Sequence, residues 1–343
     1  MPVRAIVVGL GNIGKVLKTK INALPDWKVI ATVSKRSVFD GTTGNLIREF
    51  TPDAFHVYLR DVAGDGKPVV VFLAIPSQNG GEAAGAYIEQ AVACNVPIVT
   101  CEKGALSHQF ALFADKLDKI GYSATVGGGT RILPSLMERM NGRRDVVLHG
   151  VVNGTLNFIF NEMDHAGSSF GTAVEKAQAL GYAEPGASEG VDILNGEMSD
   201  TVMKTSILFN ICMNTGTYMN PDSIAVLKIN QSILSHLIRE ASVRRYIVSL
   251  FPPEFDGELP PEKDIIGGFR YDISGWRIRA GFQRTDSDPL FRGRLPMGAN
   301  NAVITCEGKG GEDGIYVLGN GPGAGPKPTT ASMLGDARKL LRL

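Results

Sequence analysis

The sequence predicts an α/β protein built in two parts, and three observations carry that reading. Through about residue 130, short apolar runs at 3–8, 29–33, 69–75 and 97–100 alternate with helical patterns, the rhythm of a parallel, doubly wound sheet. From residue 131 the rhythm changes to helical patterns at 131–141, 155–164, 171–180, 199–213 and 230–240, followed by a Pro-, Gly- and aromatic-rich stretch over 251–300. Glycine is in excess, 41 of 343 residues against a usual share of about 7%. It clusters at 9–14, 127–129, 308–311 and 319–325, beside strand-like runs, where backbone approaches a ligand or turns sharply.

The first run leads into Gly9-Leu10-Gly11-Asn12-Ile13-Gly14. Val16, Leu17, Ile21 and Leu24 then follow at helical spacing until Pro25 stops them. Strand, GxGxxG and helix in this order form the dinucleotide-binding fingerprint of a Rossmann-type domain. The first glycine makes the tight turn, the second lets backbone approach a pyrophosphate, and the third packs helix on strand. The helix N-terminus offers N–H groups and a positive dipole end to phosphates. Gly9, Gly11, Asn12, Ile13 and Gly14 are therefore the expected cofactor contacts. At the end of the second strand, about 20 residues on, NAD sites carry an acidic residue for the ribose diol. This chain has Ser34, Lys35 and Arg36 there, a hydroxyl and two cations better suited to a 2′-phosphate. NADP is favoured over NAD, with a solvated basic loop as the alternative.

The helix over 80–94 and the strand at 97–100 continue the pattern, and residues 329–343 close the chain with a helix-like segment. Equal numbers of basic and acidic residues, 35 each, argue against a nucleic-acid binder. No run approaches the ~20 apolar residues of a spanning helix, and the N-terminus lacks a signal-peptide core. Four scattered cysteines without a CxxC, and histidines at 56, 108, 149, 165 and 236 without metal spacing, predict neither a disulfide framework nor a metal site. A cytoplasmic, reducing location is expected.

Further segments narrow the reading: Thr100-Cys101-Glu102-Lys103-Gly104; Val152-Asn153-Gly154-Thr155-Leu156-Asn157; Gly181-Tyr182-Ala183-Glu184-Pro185; Asp192; Asn195-Gly196; Asp200 through Lys204; Gly321 through Gly325; and Thr330 through Asp336. In this order, and over nearly the whole chain, they resemble homoserine dehydrogenase. The short chain resembles the form without the ACT regulatory domain. The resemblance implies NAD(P)-linked interconversion of L-aspartate 4-semialdehyde and L-homoserine, in a homodimer that takes a small amino-acid substrate. It implies that Lys204 acts at the substrate oxygen, that Asp200 at i−4 orients it, and that Lys103 lies beside nicotinamide and substrate. Glu184 and Asp192 would hold the substrate ammonium, Gly154 and Thr155 its carboxylate, and Tyr182 would contact it or pack. Gly323 joins the expected cofactor contacts.

Three departures stand out. The chain has TCEKG where the family pattern is closer to TANKG, with Cys101 read as a small filler. The segment 185–199 is longer than the common pattern and reads as a remodelled loop beside the amino-group pocket, so another small hydroxy or amino acid stays open as substrate. Ser123 stands where some members carry a cation-binding glutamate, and no cation is carried over. A nucleotide-sensing protein without turnover is a further alternative, opposed by the presence of both Lys103 and Lys204. The expected domains are 1–130, completed by 312–343, for the dinucleotide, and 131–311 for substrate and dimerisation.

Overall fold

The structure, a computed structural model, describes residues 2–343 apart from 50, 52, 184–189, 287, 309 and 312. The chain divides into two compact units, Met1–Thr125 with Pro326–Leu343, and Val126–Gly325.

The first unit runs β1 (Val3–Val8), α1 (Asn12–Asn22), β2 (Trp27–Ser34), β3 (Ser37–Asp40), β4 (Leu46–Arg48), α2 (Ala54–Ala63), β5 (Val69–Leu73), α3 (Glu82–Ala93), β6 (Ile98–Thr100), α4 (Gly104–His108), α5 (Phe110–Phe113) and β7 (Ile120–Gly121), and ends in a C-terminal helix, Pro326–Leu341. The sheet order among the described residues is β4-β3-β2-β1-β5-β6-β7. Strands β2, β1, β5, β6 and β7 are parallel. The continuous apolar runs of β1 and β5 fit strands covered on both faces. Leu17 and Ile21 of α1 pack with Met333, Leu334 and Ala337 of the C-terminal helix against Val7, Val29 and Phe72. Asp336 fixes that helix by accepting from the amide and the hydroxyl of Ser123, both at 2.7 Å.

The expected rhythm breaks after β2. The chain reverses in a two-residue hairpin, with Ser34 paired to Ser37, and β3 and β4 extend the sheet antiparallel. Lys35 and Arg36 are the turn residues, with φ of 48° and 68°. Positive φ at both positions is the type I′ geometry whose twist matches the flanking strands.

The second unit contains α6 (Ile132–Met140), β8 (Val147–Val151), α7 (Gly154–His165), α8 (Phe170–Ala179), α9 (Gly190–Cys212), α10 (Gln231–Arg239), β9 (Arg244–Phe251), β10 (Ile266–Ile273), β11 (Trp276–Arg284), β12 (Asn300–Glu307) and β13 (Asp313–Pro322). Its sheet, in the order β10-β11-β9-β8-β12-β13, is antiparallel throughout. Val147, Val151, Ile247, Phe251, Phe291 and Ile304 form a core on it.

Two expectations need correction. Residues 313–325 belong to the second unit, because β13 pairs with β12 from Asn300↔Pro322 to Glu307↔Asp313; the return to the first unit begins at Pro326, not at 312. The described part of the supposed 185–199 loop is helical, since α9 begins at Gly190. Ile193, Leu194, Met198 and Val202 are all buried, and that burial carries the helix N-terminally to Gly190. No helix among the described residues is long and apolar enough to cross a membrane.

Candidate active site

In the first unit, the turn after β1 is shaped by its glycines. Gly9 has φ +87°, and a Cβ there would meet the Ala74 carbonyl oxygen at 2.4 Å. A Cβ at Gly14 would lie 1.9 Å from the Gly9 oxygen, so only glycine lets α1 approach β1 this closely. Gly11 differs: nothing lies within 4 Å of its Cβ position. It caps α1 without a side-chain hydrogen bond, and Leu10, Gly11 and Asn12 are exposed. Ile13 packs on the core beneath. The result is an open helix N-terminus beside the C-terminal ends of β1 and β5, where the strand order changes direction and doubly wound sheets bind ligands. This open amide cradle fits a dinucleotide pyrophosphate. Ser34, Lys35 and Arg36 are exposed at the C-terminal end of β2.

Lys103 follows β6 and caps α4. Its amide donates to Ser77 Oγ at 3.0 Å, and it is half-buried beside the buried Glu102. The Glu102 carboxylate accepts from the amides of Gly104 and Ala105, holding the first turn of α4. Burial pushes the Cys101 thiol up to about 11, the opposite of an activated nucleophile.

In the second unit, Asn153, Thr155, Tyr182, Glu197, Asp200 and Lys204 come together. Lys204 Nζ is 2.7 Å from Asp200 Oδ2, with the side chains only 12% and 23% exposed. That burial separates the pair from an ordinary surface i,i+4 contact. Asn153, between β8 and α7, accepts from the Leu156 amide at 2.9 Å and so caps α7. The same side chain donates through Nδ2 to Glu197 Oε2 at 2.7 Å and to the Glu197 carbonyl at 3.2 Å. The Thr155 hydroxyl donates to the Tyr182 carbonyl at 2.8 Å, and the Tyr182 ring packs against Phe158 at 5.2 Å. Gly154 and Thr155 carry the first amides of α7, which have no partner one turn back within the helix.

Glu197 is the member that motif reading missed. Burial first, and the Asp200 charge second, raise its carboxyl above the usual carboxylate range, against the pull of Lys204, Asn153 and Thr155. The spacing held a signal, since Glu197, Asp200 and Lys204 stand at i, i+3 and i+7 on one helical face. Asp192 is exposed in the first turn of α9. Eight residues from Asp200, it lies about 12 Å away along the helix axis and is not brought into this group. Glu184 lies outside the described residues. Gly323 packs against Asn301, where a Cβ would come within 2.3 Å of the amide, and its N–H donates to the Ala299 carbonyl at 3.1 Å.

The family model of homoserine dehydrogenase matches residues 132–337, more than half of the chain and the whole of this constellation. A homoserine dehydrogenase of Methanocaldococcus jannaschii is 27% identical over 357 aligned positions, covering 96% of each protein. The crystal structure of homoserine dehydrogenase from Thermoplasma acidophilum shares the fold at 17% identity, with a TM-score of 0.68 and full coverage of both chains. A hyperthermophilic archaeal homoserine dehydrogenase in complex with NADPH shares it at 18% identity, with a TM-score of 0.64 over 100% of this chain and 99% of that one. With the family match spanning the lysine-bearing helix α9, the chain belongs to the homoserine dehydrogenase family of oxidoreductases.

Proposed function

We propose that this protein interconverts L-aspartate 4-semialdehyde and L-homoserine with NADP in preference to NAD, as a cytoplasmic homodimer. The observation that carries the reaction is the half-buried Lys204–Asp200 pair at 2.7 Å, within the segment matched by the family. A nicotinamide cofactor, when bound, supplies or accepts the hydride. The chain's own residues bind, orient and move the proton.

Lys204 Nζ gives its proton to the substrate oxygen as the aldehyde becomes an alcohol, and takes it back in the reverse direction. Asp200, 2.7 Å away, keeps that ammonium aimed. The N-terminus of α7, with the amides of Gly154 and Thr155, receives the substrate carboxylate. The Thr155 hydroxyl is already engaged with the Tyr182 carbonyl, which leaves the backbone amides as the donors. Tyr182 shapes the wall beside them, and Glu184 reaches the ammonium as the resemblance implies. The glycine turn Gly9–Gly14 holds the dinucleotide, and Lys103 serves the cofactor end. Support for NADP comes from the exposed Ser34, Lys35 and Arg36, and from the NADPH complex of the archaeal relative.

The test is the initial rate of reduced-cofactor formation from L-homoserine, with NADP and NAD side by side. Turnover with NADP favoured supports the reading. Nucleotide binding without homoserine turnover would overturn it in favour of another hydroxy acid.

A further inference from the structure

The β2–β3 turn is made of residues that its geometry does not favour. Lys35 and Arg36 hold φ of 48° and 68°, where a type I′ turn prefers asparagine and glycine. Left-handed backbone is costly for a residue with a Cβ, and it persists only where the surroundings over-determine it. A two-residue turn also leaves both of its amides outside the ladder, so the pairing of Ser34 with Ser37 gives neither residue a bond of its own. The support comes from another element.

Tyr87 on α3 supplies it. The Tyr87 oxygen accepts from the Arg36 amide, and burial pushes the hydroxyl pKa up while the Arg36 charge and amide pull it down. The ring is held independently of the turn. It is 8% exposed and meets the fully buried Phe55 of α2 edge-on, with centroids 4.9 Å apart and planes at 78°. Ala83, Ala86 and Tyr87 share one face of α3 at i, i+3 and i+4, and with Arg36 they line a shallow hollow. The two alanines leave room for the Arg36 side chain, and the rigid ring of Tyr87 sets where the turn stands.

We propose that Tyr87 is a positioning residue for cofactor selectivity: its hydroxyl, anchored through the ring packed on Phe55, holds the Arg36 backbone in the turn and so aims the guanidinium at the 2′-phosphate of NADP. The proposal rests on the preference for NADP proposed above and acts through Arg36, not on the ligand. An arginine on a loosely held turn must be ordered when the cofactor binds, and that ordering weakens affinity; a turn fixed beforehand avoids it. NAD has no 2′-phosphate, so its binding does not draw on the arrangement.

The experiment measures dissociation constants of NADP and NAD by calorimetry for the wild type, Tyr87→Phe, Arg36→Gly and the double variant. Phenylalanine keeps the ring on Phe55 and removes only the hydroxyl. The expected result is an affinity for NADP about 3–10-fold weaker, the size of one hydrogen bond, with NAD changed by less than about twofold. In the Arg36→Gly background no guanidinium remains to be aimed, and the same substitution should leave NADP affinity level. An equal loss for both cofactors would show a merely structural role and overturn the proposal. So would no change at all, or an undiminished loss of NADP affinity in the Arg36→Gly background. A wild type that binds the two cofactors equally would instead remove the preference for NADP, and this proposal with it. Loss of the preference in Arg36→Gly but not in Tyr87→Phe would overturn the role of Tyr87 alone.

Discussion

The Asn153 side chain joins two helices: Oδ1 accepts from the Leu156 amide at 2.9 Å, while Nδ2 donates to Glu197 Oε2 at 2.7 Å. One amide thus caps α7 and positions the carboxylate on α9, so the helix N-terminus and the charged face are built as a unit. Asn153→Ala removes these bonds together with the one to the Glu197 carbonyl and should cost about 1–3 kcal/mol in denaturant unfolding. Asn153→Asp keeps a capping oxygen but sets a second carboxylate against Glu197. It should lower kcat/KM for homoserine at least as strongly as the alanine variant, although the cap survives; activity tracking cap strength alone would contradict this.

The glycine turn separates two effects that one motif conceals. An alanine at position 14 would meet the Gly9 carbonyl oxygen at 1.9 Å, so Gly14→Ala should destabilise the first unit and lose nucleotide binding together. At position 11 a Cβ meets nothing within 4 Å. Gly11→Ala should therefore leave the melting temperature near that of the wild type and weaken NADP binding. A Gly11→Ala protein with wild-type NADP affinity would count against pyrophosphate contact there.

Lys35 and Arg36 sit at φ 48° and 68° in the β2–β3 hairpin. Alanine substitutions would remove the charges but keep the left-handed strain that any Cβ residue bears at these positions. Lys35→Asn with Arg36→Gly supplies the residues a type I′ turn prefers and removes both charges. The prediction is an unchanged or raised melting temperature with the preference for NADP over NAD reduced. Equal losses for both cofactors would rule out a 2′-phosphate role.

His149 is buried beside Ser249, Phe251 and Phe291, and burial lowers its pKa from 6.5 to about 4. Between these values the unfolded chain binds the extra proton, so folding stability falls as the pH drops from about 6.5 to about 4. The shift corresponds to a loss on the order of 3 kcal/mol across that window. His149→Gln cannot take up this proton, and urea titrations across the same window should show a shallower fall than in the wild type. Parallel curves would assign the acid sensitivity to other groups.

Much of this architecture is legible in the sequence because its signals are local. An apolar run, GLGNIG and a helical period lie within two dozen residues, and the Asp200–Lys204 spacing declares a shared helical face. The features that escaped depend on partners distant in sequence or on unusual residue choices. Lys35 and Arg36 carry no glycine or asparagine to announce a type I′ turn. Gly314, Gly319 and Gly321 interrupt the apolar pattern of β13, whose pairing with β12 decides where the second unit ends. Gly196 reads as a helix breaker, yet Ile193, Leu194 and Met198 bury enough apolar surface to carry α9 through it. Glu197 looks like any helical glutamate until Asn153, 44 residues earlier, is found bonded to it.

The central claim is that Lys204 moves the proton of a homoserine dehydrogenase reaction. The most direct measurement is the rate of NADPH formation from saturating L-homoserine at alkaline pH, for the wild type and Lys204→Ala side by side, with NADP affinity measured on both. The account predicts wild-type turnover within about 1–10³ per second and a fall of about 10²–10⁴ in kcat for the variant at unchanged NADP affinity. Near-wild-type turnover by Lys204→Ala would contradict it.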